Sequence, residues 1–134
     1  MTFRITYNFD DFDQDRVVTE IQNSYWGGNR SADQIVRSFQ HSSFTGLFDC
    51  GQPVGFVRAF SDRVFSTYVN DLFVYEDCRG NGHSHRLLKA LFAHPELLEI
   101  RHRMLATKDA HALYEKHGFE MVAAGHFMGM TRSQ

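Results

Sequence analysis

The 134-residue sequence predicts an α/β protein of the α+β type, with a mixed, mostly antiparallel sheet flanked by helices. Stretches that alternate apolar and polar residues are separated by stretches with helical spacing. Three consecutive strand-like runs are joined by short turns, which is typical of antiparallel hairpins. A glycine-rich loop then leads into an apolar helical stripe. The predicted order is β-α-α-β-β-β-α-β-α-β, with one or two strands in the tail.

Composition favours one domain over residues 1–134 in a reducing, cytoplasmic compartment. A formal net charge of −2 lacks the basic balance of a nucleic-acid binder. No apolar run approaches the roughly 20 residues of a membrane span, and the acidic N-terminal stretch does not resemble a signal peptide. The two cysteines are isolated, which argues against a disulfide framework. We therefore expect neither nucleic acid nor membrane as a partner.

The N-terminal part predicts one strand and two helices. The strand is indicated by apolar residues at every second position, Phe3, Ile5 and Tyr7. The first helix is indicated by residues at helical spacing, Val17, Val18, Ile21 and Tyr25. The turn at 26–29 ends it. Ser31 and Gln34 form a predicted capping box, so a second helix should begin there.

Three strands are predicted in the middle of the chain, at 45–49, 54–60 and 64–75. They are rich in β-branched and aromatic residues, which favour pleated, half-buried backbone. Turn residues at 50–53 and 61–63 separate them. These short connections predict an antiparallel meander.

The C-terminal part predicts alternating helices and strands. The helix after the glycine loop has an apolar face of Leu87, Leu88, Leu91 and Phe92. A short strand is expected at 103–107 and a helix at 109–117, closed by Gly118. The tail, 119–130, is interpreted as one or two last strands.

The loop from Arg79 to Ser84 is the strongest local candidate for a binding site. Its glycines, Gly80 and Gly82, allow a close approach to the backbone. The first amides of a helix have no internal partner, and they favour an anion. The loop has neither the Walker ending nor the third glycine of a dinucleotide fingerprint. From these six residues alone, a glycine turn that binds nothing is an equally good interpretation.

A second motif lies downstream, in the stretch LATKDAHALYEKHGFE at 105–120. Together with the loop it resembles the GNAT superfamily of acetyl-CoA-dependent N-acetyltransferases. The family's helix signature is matched by Ala110, Leu113, Tyr114, Gly118 and Phe119. Two positions depart from the family pattern. Ser84 stands where the loop motif of the family ends in Gly or Ala, and Thr107 stands where many members have asparagine.

The resemblance implies a role for each matching residue. The backbone of Phe73 and Val74 would pair with the pantetheine arm of CoA. The Tyr114 hydroxyl would protonate the departing thiolate. Thr107 would bond the same arm, or would only cap a helix. The CoA diphosphate would lie on the loop residues Arg79, Gly80, Asn81, Gly82, His83 and Ser84.

The chemistry also needs a neutral amine. A lysine-like amine with a pKa near ~10.4 is mostly protonated at neutral pH, so a base or a chain of water must remove the proton. Asp71 is the candidate base, because it is a lone carboxylate in an apolar strand. A solvated or structural carboxylate fits that position equally well. Tyr114, judged without the resemblance, is a packed helix aromatic.

The predicted function is transfer of acetyl from acetyl-CoA to a primary amine of a small molecule or peptide, by direct attack in a ternary complex. The alternative is a non-catalytic acyl-CoA-binding module that senses or regulates. The family also implies that a homodimer can form. The eight histidines lack the spacing of metal ligands, so no metal is expected.

Overall fold

The computed structural model describes residues 2–132. The predicted order of elements is confirmed from the first strand to the last helix. Two 3-10 turns, Phe9–Asp11 and Glu76–Cys78, precede the first helix and the glycine loop. The elements are β1 (Phe3–Thr6), α1 (Gln14–Asn23), α2 (Ala32–Gln40), β2 (Ser43–Asp49), β3 (Gln52–Ser61), β4 (Ser66–Val74), α3 (His83–Phe92), β5 (His102–Met104) and α4 (His111–Glu115).

The strands form one sheet in the order β1-β2-β3-β4-β5. Neighbours from β1 to β4 pair antiparallel, and β5 pairs parallel to β4. The mixed, mostly antiparallel sheet predicted above is therefore confirmed. The parallel pair requires a crossover between β4 and β5, and α3 lies in that connection. No helix within residues 2–132 is long and apolar enough to cross a membrane.

Both faces of the sheet are covered by helices. The face under α1 and α2 is filled mainly by aromatic rings, including Phe39, Phe44 and Phe56. The face under α3 is filled by aliphatic side chains, including Leu87 and Leu91. A sheet that is buried on both faces needs apolar residues on both sides of its strands. The nearly continuous burial of β2 follows from this arrangement.

Helix starts follow the chemistry of the sequence closely. The side chain of Ser31 accepts from the backbone N–H of Gln34 over 3.1 Å, and the Gln34 side chain accepts from the backbone N–H of Ser31 over 3.0 Å. The predicted capping box is therefore confirmed. Asp13 caps α1 in the same way, by accepting from the N–H of Arg16 over 3.2 Å. Each side chain satisfies a backbone amide that the helix leaves without a partner.

The strands predicted at 119–130 are wrong, because residues 119–132 contain no strand. Gly125 adopts a φ of +87° within a turn and breaks the apolar pattern. Beyond Phe119 the side chains of the tail are exposed: Met121 is 82 % exposed and Met128 is 98 % exposed. Other limits differ by a few residues, since β1 ends before Tyr7 and α1 ends before Tyr25.

A bulge in β4 separates it from β5. Phe56 lies opposite Phe73, but Arg58 lies opposite Asn70, so β4 contains one extra residue. Asp71 lies in this bulge and has a left-handed backbone with φ of +49°. A bulge bends and twists the strand that carries it. Pairing between β4 and β5 ends at Tyr68, and a gap opens beyond that point.

Candidate active site

The backbone of Val74 faces the gap between β4 and β5. The next residue, Tyr75, donates its N–H to the carbonyl of Val54 on β3 over 2.9 Å. The Phe73 carbonyl also points to β3, since a Cβ added to Gly55 would lie 2.6 Å from its oxygen. Because consecutive strand residues alternate, Val74 points its N–H and C=O the other way. Of the two residues expected to meet a pantetheine arm, only Val74 presents its backbone to the gap.

Arg79 connects the glycine loop to the end of β4. Its Nε donates to the Val74 carbonyl over 3.0 Å, and its guanidinium lies 5.3 Å from the centre of the Phe73 ring. Asn81 braces the loop from the other side, because its amide nitrogen donates to the carbonyls of Cys78 and Arg79 over 3.1 and 3.3 Å. The predicted loop residues therefore hold one another in a defined conformation.

At the glycines of the loop, the backbone is not covered by side chains. Gly80 and Gly82 have φ of +82° and +77°, a region that favours glycine. A Cβ at Gly80 would meet no atom within 4 Å. No side chain among the described residues caps α3, so the amides of its first turn stay available. This arrangement is the one that binds anions at helix starts.

A pocket of about 270 Å³ lies beside the loop, and we call it the loop pocket. All of the predicted loop residues except Asn81 line it, and so does Val74, whereas Phe73 does not. His83 is buried there, and desolvation, followed by the nearby Arg86 charge, lowers its pKa. A neutral imidazole is therefore expected at neutral pH. The lining residues are Val74, Cys78, Arg79, Gly80, Gly82, His83, Ser84, His85 and Leu113.

A second pocket, of about 540 Å³, opens where β4 and β5 separate, and we call it the β4–β5 cleft. One wall comes from β4, one from the segment before α4, and one from the turn after α1. The cleft brings Asp71, Thr107 and Tyr114 together, with Trp26 on its rim. The lining residues are Tyr25, Trp26, Arg30, Tyr68, Val69, Asn70, Asp71, Leu72, Ala106, Thr107, Lys108, Asp109, Ala110 and Tyr114.

Tyr114 belongs both to the core and to the cleft. Its half-buried ring packs edge-on against Phe119, with 5.9 Å between ring centres. Its hydroxyl makes no hydrogen bond with a described residue. Desolvation raises the pKa of this phenol, and the charge of Asp109 raises it further. The hydroxyl is therefore protonated at neutral pH, as a proton donor must be.

Thr107 acts locally in this structure. Its hydroxyl accepts from the backbone N–H of Ala110 over 3.0 Å, just before α4 begins. The bond ends at the residue before the helix, and no side chain among the described residues caps α4, so both roles considered for Thr107 stay predictions. The residue lines the β4–β5 cleft and not the loop pocket.

The Asp71 carboxylate is held by two arginines. Arg58 Nε donates to Oδ2 over 2.6 Å, and Arg30 Nη1 lies 3.1 Å from both carboxylate oxygens. The side chain of Asp71 is 1 % exposed, that of Arg58 is 9 % exposed and that of Arg30 is 35 % exposed. Arg58 also donates to the hydroxyl of Ser42 over 3.0 Å. The carboxylate is thus structural in its contacts and lies at the floor of the cleft.

A pair of histidines joins α3 to the segment after α4, which the sequence did not indicate. His85 Nδ1 and His117 Nε2 are 2.8 Å apart, and the rings stack with centres 5.0 Å apart. Burial lowers the pKa of His117, and the His85 ring lowers it further. No third metal-ligand side chain joins this pair among the described residues. The contact fixes the helix that carries Tyr114.

The arginine contacts of Asp71 were also not foreseen, because Arg30 lies 41 residues away in sequence. One sequence feature could have indicated them. Arg58 and Asp71 are each a single charge within an apolar strand. A charge in such a position is buried only when it is paired. Spacing alone does not identify the partner.

Comparison with known proteins agrees with this geometry. The family model described as "Acetyltransferase (GNAT) family" matches residues 10–119. A crystal structure of a GNAT-family protein from Xanthomonas campestris pv. campestris superposes with a TM-score of 0.90 at 29 % identity, covering 98 % of this chain and 94 % of that one. No curated protein sequence matches the chain significantly.

Two more distant structures contain ligands. A predicted acetyltransferase from Clostridium acetobutylicum, solved with acetyl-CoA, has a TM-score of 0.71 at 13 % identity, with 97 % of this chain and 95 % of that one covered. N-acetylglutamate synthase from Neisseria gonorrhoeae, solved with coenzyme A and N-acetyl-glutamate, has a TM-score of 0.73 at 15 % identity, with 95 % of this chain and 30 % of that one covered. These two show the fold alone. With a family model that spans most of its length, the chain belongs to the GNAT family of acetyltransferases.

Proposed function

We propose that this protein is an N-acetyltransferase that moves acetyl from acetyl-CoA to a primary amine, by direct attack in a ternary complex. The observation that carries the proposal is the adjacency of the two pockets. Leu113 lines the loop pocket, and its neighbour Tyr114 lines the β4–β5 cleft. A cosubstrate in the first pocket would therefore bring its reactive end to the second.

The residues of the loop pocket suit the CoA part of the cosubstrate. The bare backbone at Gly80 and Gly82 and the uncapped amides of α3 would hold the diphosphate. Val74 would pair with the pantetheine arm through the groups that face the gap. Arg79 already uses Nε on the Val74 carbonyl, so its remaining nitrogens would meet the phosphates.

The proposed reaction forms one carbon–nitrogen bond and breaks one carbon–sulfur bond. The neutral amine attacks the thioester carbonyl, and the oxyanion is stabilised by backbone N–H groups where β4 and β5 separate. The CoA thiolate leaves and takes a proton from the Tyr114 hydroxyl. The proton released by the amine passes to solvent in the open cleft, and the phenol is restored from there.

Asp71 fits the role of a base less well than the sequence suggested. Its oxygens accept hydrogen bonds from two guanidinium groups. Its side chain is also only 1 % exposed, so an amine in the cleft has little access to these oxygens. We therefore propose that Asp71 holds Arg30 in the cleft, and its catalytic role stays a prediction.

The first experiment is a thermal-shift titration with acetyl-CoA, CoA and ATP, followed by a screen for thiol release with a panel of amines. A ligand at 100 times its dissociation constant adds about 2.7 kcal/mol to the free energy of unfolding. Stabilisation by acetyl-CoA and CoA but not by ATP, with thiol release for at least one amine, supports the proposal. Stabilisation without thiol release for any amine would favour the non-catalytic acyl-CoA-binding module. No stabilisation by acetyl-CoA would refute both.

A further inference from the structure

We propose that the β4–β5 cleft selects an acceptor that carries a carboxylate besides its amine, with Arg30 as the group that binds the carboxylate. The proposal rests on the function proposed above and names the class of its acceptor. It favours amino acids over polyamines and other amines without an acidic group.

The charges at the floor of the cleft do not cancel. Arg58 and Arg30 both contact the single carboxylate of Asp71. Two guanidinium groups and one carboxylate leave one positive charge. Arg58 is buried, whereas Arg30 lines the cleft with 35 % of its side chain exposed. The excess charge is therefore accessible to a ligand at Arg30.

Arg30 also has hydrogen-bond donors to spare. Its Nη1 serves both oxygens of Asp71. Its Nε and Nη2 make no hydrogen bond with any residue in the described part of the chain. Arginine presents a rigid, planar set of donors that matches a carboxylate. Since Asp71 fixes one edge of the guanidinium, the group loses little freedom when it binds a second anion.

The segment before α4 contributes a carboxylate to the cleft that can meet an amine. Asp109 lies close enough to Tyr114 to raise the pKa of its hydroxyl. Among the described lining residues, Asp109 is the carboxylate that no guanidinium engages. Its neighbour Lys108 also lines the cleft. One carboxylate near Tyr114 and one accessible guanidinium suit a zwitterion, whereas a second ammonium group would meet Arg30.

Aromatic side chains complete the walls around Arg30. The Arg30 guanidinium lies 5.7 Å from the centre of the Trp26 ring. Tyr25 and Tyr68 also line the cleft. The Tyr25 ring is largely exposed, so it is free to contact a ligand. These rings provide an apolar surface beside the anion-binding group, which suits an amino acid with an apolar or aromatic side chain.

The test compares binding within matched pairs that differ only in the carboxylate. The pairs are phenylalanine and 2-phenylethylamine, leucine and 3-methylbutylamine, and lysine and 1,5-diaminopentane. Calorimetry on the protein saturated with CoA gives the dissociation constants without relying on turnover. We expect the carboxylated member of the best-binding pair to bind at least about tenfold more tightly, the effect of one charged hydrogen bond.

Variants assign the effect to Arg30. Arg30→Gln should remove the preference, and Arg30→Lys should keep part of it. Asp71 keeps Arg58 as a partner in both variants, and thermal melts check that they fold. Arg37→Gln, which alters an exposed arginine paired with Asp33 on α2, should leave the preference intact. Equal or weaker binding of the carboxylated member in every pair, or a preference that survives Arg30→Gln, overturns the proposal.

Thiol release with the same compounds separates this proposal from the proposed function. Carboxylate preference in binding without any acetyl transfer would refute the enzyme and support the binding site. Acetyl transfer at equal efficiency to both members of each pair would support the enzyme and overturn the role of Arg30.

Discussion

Arg58 Nε donates to Asp71 Oδ2 over 2.6 Å, and both side chains of this ion pair are almost completely buried. Breaking such a pair by removing one charge costs about 3–5 kcal/mol, because the other charge stays buried without compensation. We therefore expect Asp71→Asn to lower the free energy of unfolding by roughly this amount, as measured by urea unfolding. Asparagine tolerates the left-handed backbone at this position. The loss of stability would therefore come from the missing charge and not from backbone strain.

A matched control is Asp33→Asn, which breaks an exposed pair with Arg37. Exposed ion pairs of this kind contribute little to the free energy of unfolding.

The catalytic role of Asp71 can be separated from its structural role by kinetics. If Asp71 is the base, Asp71→Asn should abolish the dependence of kcat on the ionisation of an acidic group. A stable Asp71→Asn variant with low activity would contradict the structural role proposed here.

Tyr114→Phe should lower kcat by about 10²- to 10⁴-fold, the usual contribution of a general acid. The ring still packs on Phe119, so the fold and the binding of acetyl-CoA should be unchanged. Thiol release gives kcat, and a thermal-shift titration gives the affinity. Undiminished turnover would refute the role of the hydroxyl. Tyr68→Phe, which alters another tyrosine of the cleft, serves as the control.

Acetyl-CoA should slow hydrogen exchange at the Val74 amide. This N–H faces the gap, where no described residue of β5 pairs with it. The Tyr75 amide is the internal control, because it already donates to Val54. Exchange of both amides is followed by NMR with and without ligand. Protection at Tyr75 alone, or at neither residue, would contradict the proposed pairing with the pantetheine arm.

Gly80→Ala should weaken acetyl-CoA binding at least about tenfold, by obstructing one charged hydrogen bond. Gly51→Ala is an unusually close control. Both glycines have φ of +82°, and an added Cβ would meet no atom within 4 Å at either position. The two variants should therefore lose similar stability. Equal affinities in titrations of the two variants would mean that the loop does not hold the diphosphate.

Acid should destabilise the protein partly through His94. Its Nδ1 accepts from the Glu96 backbone N–H over 3.0 Å, and the ring is buried. Burial lowers the pKa of His94 in the folded state, with Glu96 opposing this effect. The unfolded state therefore takes up a proton first as the pH falls through about 6.5. The free energy of unfolding decreases from that pH down to the pKa of the folded state.

His94→Asn keeps an acceptor for the Glu96 N–H and removes this titration. Thermal melts between pH 7.5 and pH 5 should show a flatter decline of Tm for this variant. Some decline should persist, since the pKa values of His83 and His117 are lowered as well. His41→Asn, which alters an exposed histidine at the end of α2, is the control substitution. An equal slope in His94→Asn and the parent would contradict the assignment.

Local patterns in the sequence predicted most of the fold. The capping box of Ser31 and Gln34, the three central strands and the helix after the glycine loop depend on neighbouring residues, so they can be found without tertiary information. The prediction of strands in the tail was wrong for the opposite reason. A strand needs a partner as well as a pattern, and the pattern at 119–130 was short and broken by glycine.

The site was predicted only where it depends on local sequence. The loop and Tyr114 lie in recognisable motifs. The bulge at Asp71 depends on the register with β3, which the sequence of β4 does not encode. An extra residue changes which backbone groups face each side. That is why Val74, and not Phe73, presents its backbone to the gap. Arg30 reaches Asp71 across the fold, and neither position reveals the other.

The gap beside β4 is lined by main-chain groups at Val74, and this has a consequence for how the protein can change over time. A peptide N–H belongs to the position and not to the residue type, so every substitution except proline preserves it. The walls of the cleft, such as Trp26 and Tyr68, consist of side chains that one mutation can replace. If the proposed function holds, new acceptors can be acquired by changing the walls, while the thioester donor would continue to meet the same peptide groups.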